Sequence, residues 1–222
     1  MTAPGDADLP RWNGITEPTT VVTNVLLAGV AFVLTARLGV YASAEGLKAA
    51  GAIAGGLFAT SLAAALGAIA HGIDPRVDPA LRQRMGRGAM YMTGFIGAAT
   101  VMSVAFFAAR GSARSAILLF VAAKLAWYML AIARRPEFRV AVADYGGALA
   151  ILCAGAAYAW VRWSEPGAPW LIAAVLVSLI GGVIQARRVS LHRHFNHNDL
   201  YHLIQIVALY LFYRGGALLV DR

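Results

Sequence analysis

The five histidines of this chain fall in two places: His71, which closes one long apolar segment, and His192–His202, where the last apolar segment begins. From position 192 the second group reads His-Arg-His-Phe-Asn-His-Asn-Asp-Leu-Tyr-His-Leu-Ile-Gln. Uncompensated polar groups are costly inside a bilayer, so polar residues at such a place usually have a task. On a helix starting near Asn198, positions i, i+4 and i+7 share a face, which makes Asn198, His202 and Gln205 one polar stripe reaching into the membrane. Asp199 stands one turn before His202. An imidazole binds zinc, while a nearby carboxylate either completes the ligand set or fixes the ring tautomer from behind, and both roles are open to Asp199. His71 would add a ligand from a second helix. A water in the remaining position, acidified by the metal, would be a hydrolytic nucleophile. His197 lies five residues before His202, about 140° away on a regular helix, so the two converge only if the helix starts between them. His192 and His194, beside arginines, suit head-group contacts.

The elements that must position these groups are membrane spans. Of 222 residues 59% are hydrophobic and 14% charged, and the mean hydropathy is +0.65, which excludes an ordinary soluble domain. The apolar runs match the length needed to cross about 30 Å of hydrocarbon as helix. They predict an all-α, seven-transmembrane-helix bundle as a single domain, with spans 20–42, 48–71, 88–109, 115–133, 139–162, 169–186 and 199–219 and an N-terminal tail 1–19. The runs are apolar on all sides and too long for barrel strands. The tail carries Asp6, Asp8, Pro10 and Glu17 and lacks a basic start followed by an apolar stretch, so it does not read as a cleavable signal. Abundant glycine and alanine allow close helix packing where lipid supplies no hydrophobic drive.

The net charge of +8 sits in short loops and forms no long basic face, so a nucleic-acid partner is not expected. Eleven Lys and Arg fall on the face of the N-terminus, Arg11, Arg76, Arg82 and Arg193 among them, against seven on the other face. By the positive-inside bias the N-terminus and the histidines face the cytoplasm and the C-terminus lies outside. If the spans alternate, the end of the second and the start of the seventh share that face. His71 and His202 can then meet. Cys153 lies within the fifth span and reads as a small buried apolar residue.

Other polar residues lie in the spans. Glu17, Thr20 and Asn24 fall at i, i+3 and i+7 on one face of the first helix and could line a polar chamber with Gln205; hydrogen bonding between helices is the plainer role. Lys124 and Asp144 are intramembrane charges placed to form a structural ion pair or a relay. Asp74-Pro75 and Asp78-Pro79 read as loop punctuation. The seventh span holds no lysine, so a retinal Schiff base has no attachment point there.

Glu17-Pro-Thr-Thr20-Val-Val-Thr23-Asn24 resembles the Glu-x-x-Asn-x-x-Ser-Asn motif at the first span of the alkaline ceramidases and their bacterial relatives in the CREST superfamily of seven-helix membrane proteins. Seven spans, a histidine closing the second and a histidine at the start of the seventh fit that plan. The resemblance implies a zinc ion held by one histidine from the second helix and two from a His-x-x-x-His on the seventh, with metal-bound water attacking a lipid amide. Carried across, the ligands are His71 and His202. The sequence departs from the pattern at three points: Asn198 stands where the other histidine would be, Gly67 where a serine helps stabilise the transition state, and Arg82 where a carboxylate is found. The third ligand would then be Asp199, His197 or Asn198. The acidic calcium cluster of the ceramidases is matched by Glu17 alone, and calcium is not expected.

Three functions follow as expectations. The first is a zinc-dependent intramembrane hydrolase of a lipid amide or ester, in a bacterial inner membrane, with Asp199 as ligand or base. The second is a non-catalytic protein of the same fold that binds or senses a membrane lipid. The third is a small transporter using Lys124 and Asp144.

Overall fold

In the computed structural model, which describes residues 11–192 and 194–222, the apolar runs are seven helices: α1 Pro18–Glu45, α2 Lys48–Gly72, α3 Pro79–Phe107, α4 Gly111–Arg134, α5 Phe138–Trp163, α6 Ala168–Ala186 and α7 His197–Leu218. Asp6, Asp8 and Pro10 of the tail, and Arg193 among the loop arginines, lie outside the described residues. Among the described residues the protein is all-α apart from a hairpin of two two-residue strands, β1 Arg11–Trp12 and β2 Ile15–Thr16. α1 to α6 are long and apolar enough to cross a membrane, as expected of an integral membrane protein. α7 does not meet the same measure; its first two turns carry His197, Asn198, Asp199 and His202.

Local chemistry explains where the helices begin and end. Pro18 and Pro79 sit in first turns, where a missing N–H costs nothing. The Asp78 carboxylate accepts from the Leu81 N–H at 2.8 Å, so this residue is a helix cap and not mere loop punctuation. Consequently α3 starts nine residues before its expected span at 88, with an arginine-bearing extension in front of the apolar part. Asn13-Gly14, both at positive φ, closes the hairpin, the pair that a tight two-residue turn requires. α7 opens on a reciprocal cap in which the Asn196 side chain accepts from the helix and the Asp199 carboxylate accepts from the Asn196 N–H at 2.7 Å.

Neighbouring contacts run α1–α2–α3–α5–α6–α7 and back to α1, with α2 also touching α7, so six helices form a ring and α4 packs outside it on α3. Few α4 residues are buried: Val121, Tyr128 and Ile132. Tyr128 lies over Gly94, where a Cβ would run into its ring, and its hydroxyl donates to the Met90 carbonyl at 2.6 Å. At the end of the bundle away from the histidines, Asp221 accepts from the Lys48 and Ala49 N–H groups at 2.7 and 2.9 Å and caps α2. Buried Glu165 pairs with Arg222 at 2.7 Å, tying the chain after α7 to the α5–α6 turn.

Candidate functional site: a polar chamber among the helices

A cavity of about 330 Å3 is bounded by residues of α1, α2, α3, α5, α6 and α7. His71 and His202 both line it, with Asn24, Gln205 and Tyr201 among its polar walls and Leu27, Ile96 and Leu209 among its apolar ones. Thr60, Ile96, Tyr145 and Leu209 also line a smaller cavity of about 30 Å3 that ends against Ile53 and Phe212. Polar groups are thus gathered toward one end of an apolar space.

Each histidine is oriented by a partner on α1 or just before it. Glu17, at φ 48, turns the chain into α1 and sets its carboxylate 2.8 Å from the His71 Nδ1. A left-handed conformation costs a non-glycine residue about 1–2 kcal/mol. The contact it makes helps offset this. The Arg82 Nη2 lies 3.5 Å from the same Glu17 oxygen. Burial by itself raises the Glu17 carboxyl, but the hydrogen bond with His71 and the charges of His71, Arg82 and His197 outweigh it and hold the group below its ordinary value. The hairpin in front of Glu17 is anchored by an ion pair between Arg11 and Asp74 at 2.9 Å.

The second histidine is held through a hydroxyl. Thr23 Oγ1 lies 3.0 Å from the His202 Nδ1, 3.3 Å from the Asp199 Oδ1 and 3.2 Å from the Thr20 carbonyl. One hydroxyl has one proton. Asp199 and the carbonyl are acceptors only and compete for that proton, so the arrangement that leaves the fewest acceptors facing one another has Nδ1–H of His202 donating to Thr23, whose own proton goes to one of the two oxygens or is shared between them. At His71 the carboxylate of Glu17 likewise requires an Nδ1–H donor. In its neutral form each ring therefore carries the lone pair on Nε2. Each can act as acceptor, base or ligand.

The remaining expected site residues take distinct places. Asn198 lines the cavity and accepts from Gln185 at 3.3 Å, and Gln205 lines it while bonded to Ser178 of α6 at 3.3 Å. Asn24 lines it and donates to the Thr20 carbonyl at 3.0 Å. Thr20 stands behind the wall, taking a hydrogen bond from Asn196 at 3.4 Å. Asp199 is fully buried, with one oxygen on the Asn196 N–H and the other on Thr23, and does not line the cavity. His197, the first residue of α7, does not line it either. Lys124 and Asp144 form an ion pair at 2.8 Å beside Gly97, outside these cavities.

A catalytic zinc takes three protein ligands and a water. The chamber brings two imidazoles together, the third candidate Asp199 has both oxygens engaged, and no group of three His, Cys, Asp or Glu able to hold a metal is gathered among the described residues. The donor set present does not fit the three-ligand zinc site implied by the ceramidase resemblance. Gly67 adds to the departure: a Cβ there would lie 2.9 Å from the Asn24 Oδ1, so a serine would require the Asn24 side chain to shift.

Sequence reasoning missed Thr23 as the link between Asp199 and His202, although it lies within the motif at the first span and three residues after Thr20. It also passed over Asn196, whose position three residues before Asp199 is the signal of a reciprocal cap. Compared with known proteins, residues 19–221 match the model of a family of unknown function, DUF6962, and the chain belongs to that family. No curated protein and no solved structure matches it.

Proposed function

We propose that this DUF6962 member is a membrane protein that takes a lipid into its chamber and holds the lipid's polar group between His71 and His202. The observation that carries the reading is that both imidazoles, each with Nδ1 engaged, line one cavity whose inner walls are apolar. At about 330 Å3 it falls in the range of roughly 300–1,000 Å3 usual for small-molecule sites. Two Nε2 acceptors suit a hydroxyl or amide donor at the head of a chain, and Leu27, Ile96 and Leu209 suit the chain itself. In this reading α7 also crosses the membrane. Its 22 residues span about 33 Å, and its early polar groups face helices and chamber instead of lipid. The arginine bias would place the histidine end in the cytoplasm of a bacterial cell.

Lipid extracted with detergent-purified protein tests this. A bound lipid is expected to accompany the parent chain at near-stoichiometric level and to be lost from an Ala63→Phe variant, which fills the chamber. Equal lipid in both would count against the chamber as its place.

A second reading keeps the hydrolase suggested by the alkaline ceramidase branch of the CREST superfamily, and one observation favours it: the Asp199–Thr23–His202 chain engages Nδ1 and leaves Nε2 of a chamber-lining histidine without a partner of its own among the described residues. There His202 would take a proton from water as the water oxygen attacks a lipid amide or ester carbon, then return it to the leaving amine or alkoxide. Asp199 would act through Thr23 as a positioning residue. The transporter reading gains nothing from Lys124 and Asp144, which satisfy one another outside the chamber.

A further inference from the structure

Beside the chamber, and sharing Ala70, His71, Gly86 and Met90 with it, lies a second cavity of about 360 Å3 between the end of α2, the start of α3 and Pro136 of the α4–α5 loop. Two guanidinium groups line it, Arg82 and Arg87 of α3, and no acidic side chain does among the described residues. Arg82 is only loosely compensated: Glu17 lies 3.5 Å away and is already engaged by His71 at 2.8 Å, and the Ile73 carbonyl is also at 3.5 Å. Arg87 forms no ion pair among the described residues, and its Nε is buried without a hydrogen-bond partner. A guanidinium stays charged and offers five donors in a fork that matches an oxyanion. Burying such a donor unpaired is costly, so the vestibule is built for a ligand that brings its own acceptors.

Along the path from this vestibule inward the chemistry changes in order. Cations come first, then the lone pairs of His71 and His202, then the apolar walls at Ile96 and Leu209. That order is the order of an anionic head, a polar linker and a hydrocarbon chain. We propose that Arg82 and Arg87 bind the phosphate or carboxylate of an anionic lipid whose chain runs past His71 into the chamber. The proposal rests on the lipid-chamber reading and narrows its ligand to an anionic amphiphile.

Calorimetric titration of the full chain in maltoside micelles tests it with three probes: oleoyl lysophosphatidate, uncharged monooleoylglycerol and inorganic phosphate. Lysophosphatidate is expected to bind at least about tenfold more tightly than monooleoylglycerol, as charge-assisted bidentate contacts allow. Arg87→Gln and Arg82→Gln should each erase most of that preference, with Arg87→Lys keeping part of it. Equal affinity for the two lipids in the parent chain would overturn the anionic site while the lipid chamber stands. Inorganic phosphate binding as tightly as lysophosphatidate would overturn it in favour of a free-anion site. Binding of neither lipid would overturn the site and the chamber reading together. The comparison of probes on the parent chain decides the matter even if an arginine variant fails to fold.

Discussion

The Glu17 carboxylate meets the His71 Nδ1 at 2.8 Å from a backbone turn at φ 48, so the residue that starts α1 also fixes the ring that ends α2. Acid should undo this link. The Glu17 pKa lies below its ordinary value of 4.5 in the folded protein, so its contribution is complete above pH 4.5 and is lost as pH falls through the lower, folded value. Thermal denaturation in detergent is expected to show a decline below pH 4.5 that is shallower in Glu17→Gln. At neutral pH the variant should be about 1–3 kcal/mol less stable, the cost of a charge-assisted hydrogen bond.

Thr23 is predicted to matter through its hydroxyl alone. Thr23→Val keeps the shape but leaves the buried Asp199 Oδ1 and the His202 Nδ1–H facing an apolar group, at a cost of about 1–3 kcal/mol. Thr23→Ser should recover most of it. If Val and Ser variants melt together with the parent chain, the hydroxyl does not bridge these residues.

Gly67→Ser is expected to destabilise instead of creating activity, because its Cβ would meet the Asn24 Oδ1 at 2.9 Å. Crowding of this kind costs about 1–3 kcal/mol. Combining it with Asn24→Ala should relieve the clash, which a double-mutant cycle of melting curves would register as coupling. Additive losses would count against the packing described.

The Lys124–Asp144 pair is predicted to hold α4 to the ring without a part in ligand binding. Lys124→Met alone leaves a buried carboxylate unpaired and should cost about 3–5 kcal/mol. Lys124→Met with Asp144→Leu should recover much of this. Lipid binding by the double variant should equal that of the parent chain; a loss would revive a relay role.

Metal content tests whether the two imidazoles are the whole donor set. Two imidazoles are expected to hold zinc at well below one equivalent in detergent-purified protein, with no change in His71→Ala or His202→Ala. One zinc per chain, lost in both variants, would show that a donor beyond the described set completes the site and would favour metal-dependent hydrolysis.

The helices were legible because runs such as 169–186 carry no charged residue, and hydropathy alone marks their extent. The start of α3 was not legible in the same way: Arg82, Arg84 and Arg87 hide a helix from an apolar count, and only the Asp78-Pro79 cap announces it. At α7 the histidine-bearing polar start was visible but the consequence was not. Asp199 looked like a ligand because carboxylates near histidines often are, yet it lies three residues after Asn196, and the cap and Thr23 use both of its oxygens. Helical spacing tells which residues share a face; it does not tell which of them another helix has already satisfied. Thr23 and Arg87 acquire their roles from contacts and cavities between helices, which no single helix reveals.

Photocrosslinking maps the lipid most directly. A fatty-acyl probe with a diazirine near the chain end, bound to the purified protein and located by peptide mass spectrometry, is predicted to label chamber residues such as Ala63, Thr93 and Leu209 and to be displaced by unlabelled lipid. Labelling confined to outward-facing residues such as Val22 and Leu119, with no competition, would contradict a lipid site between His71 and His202.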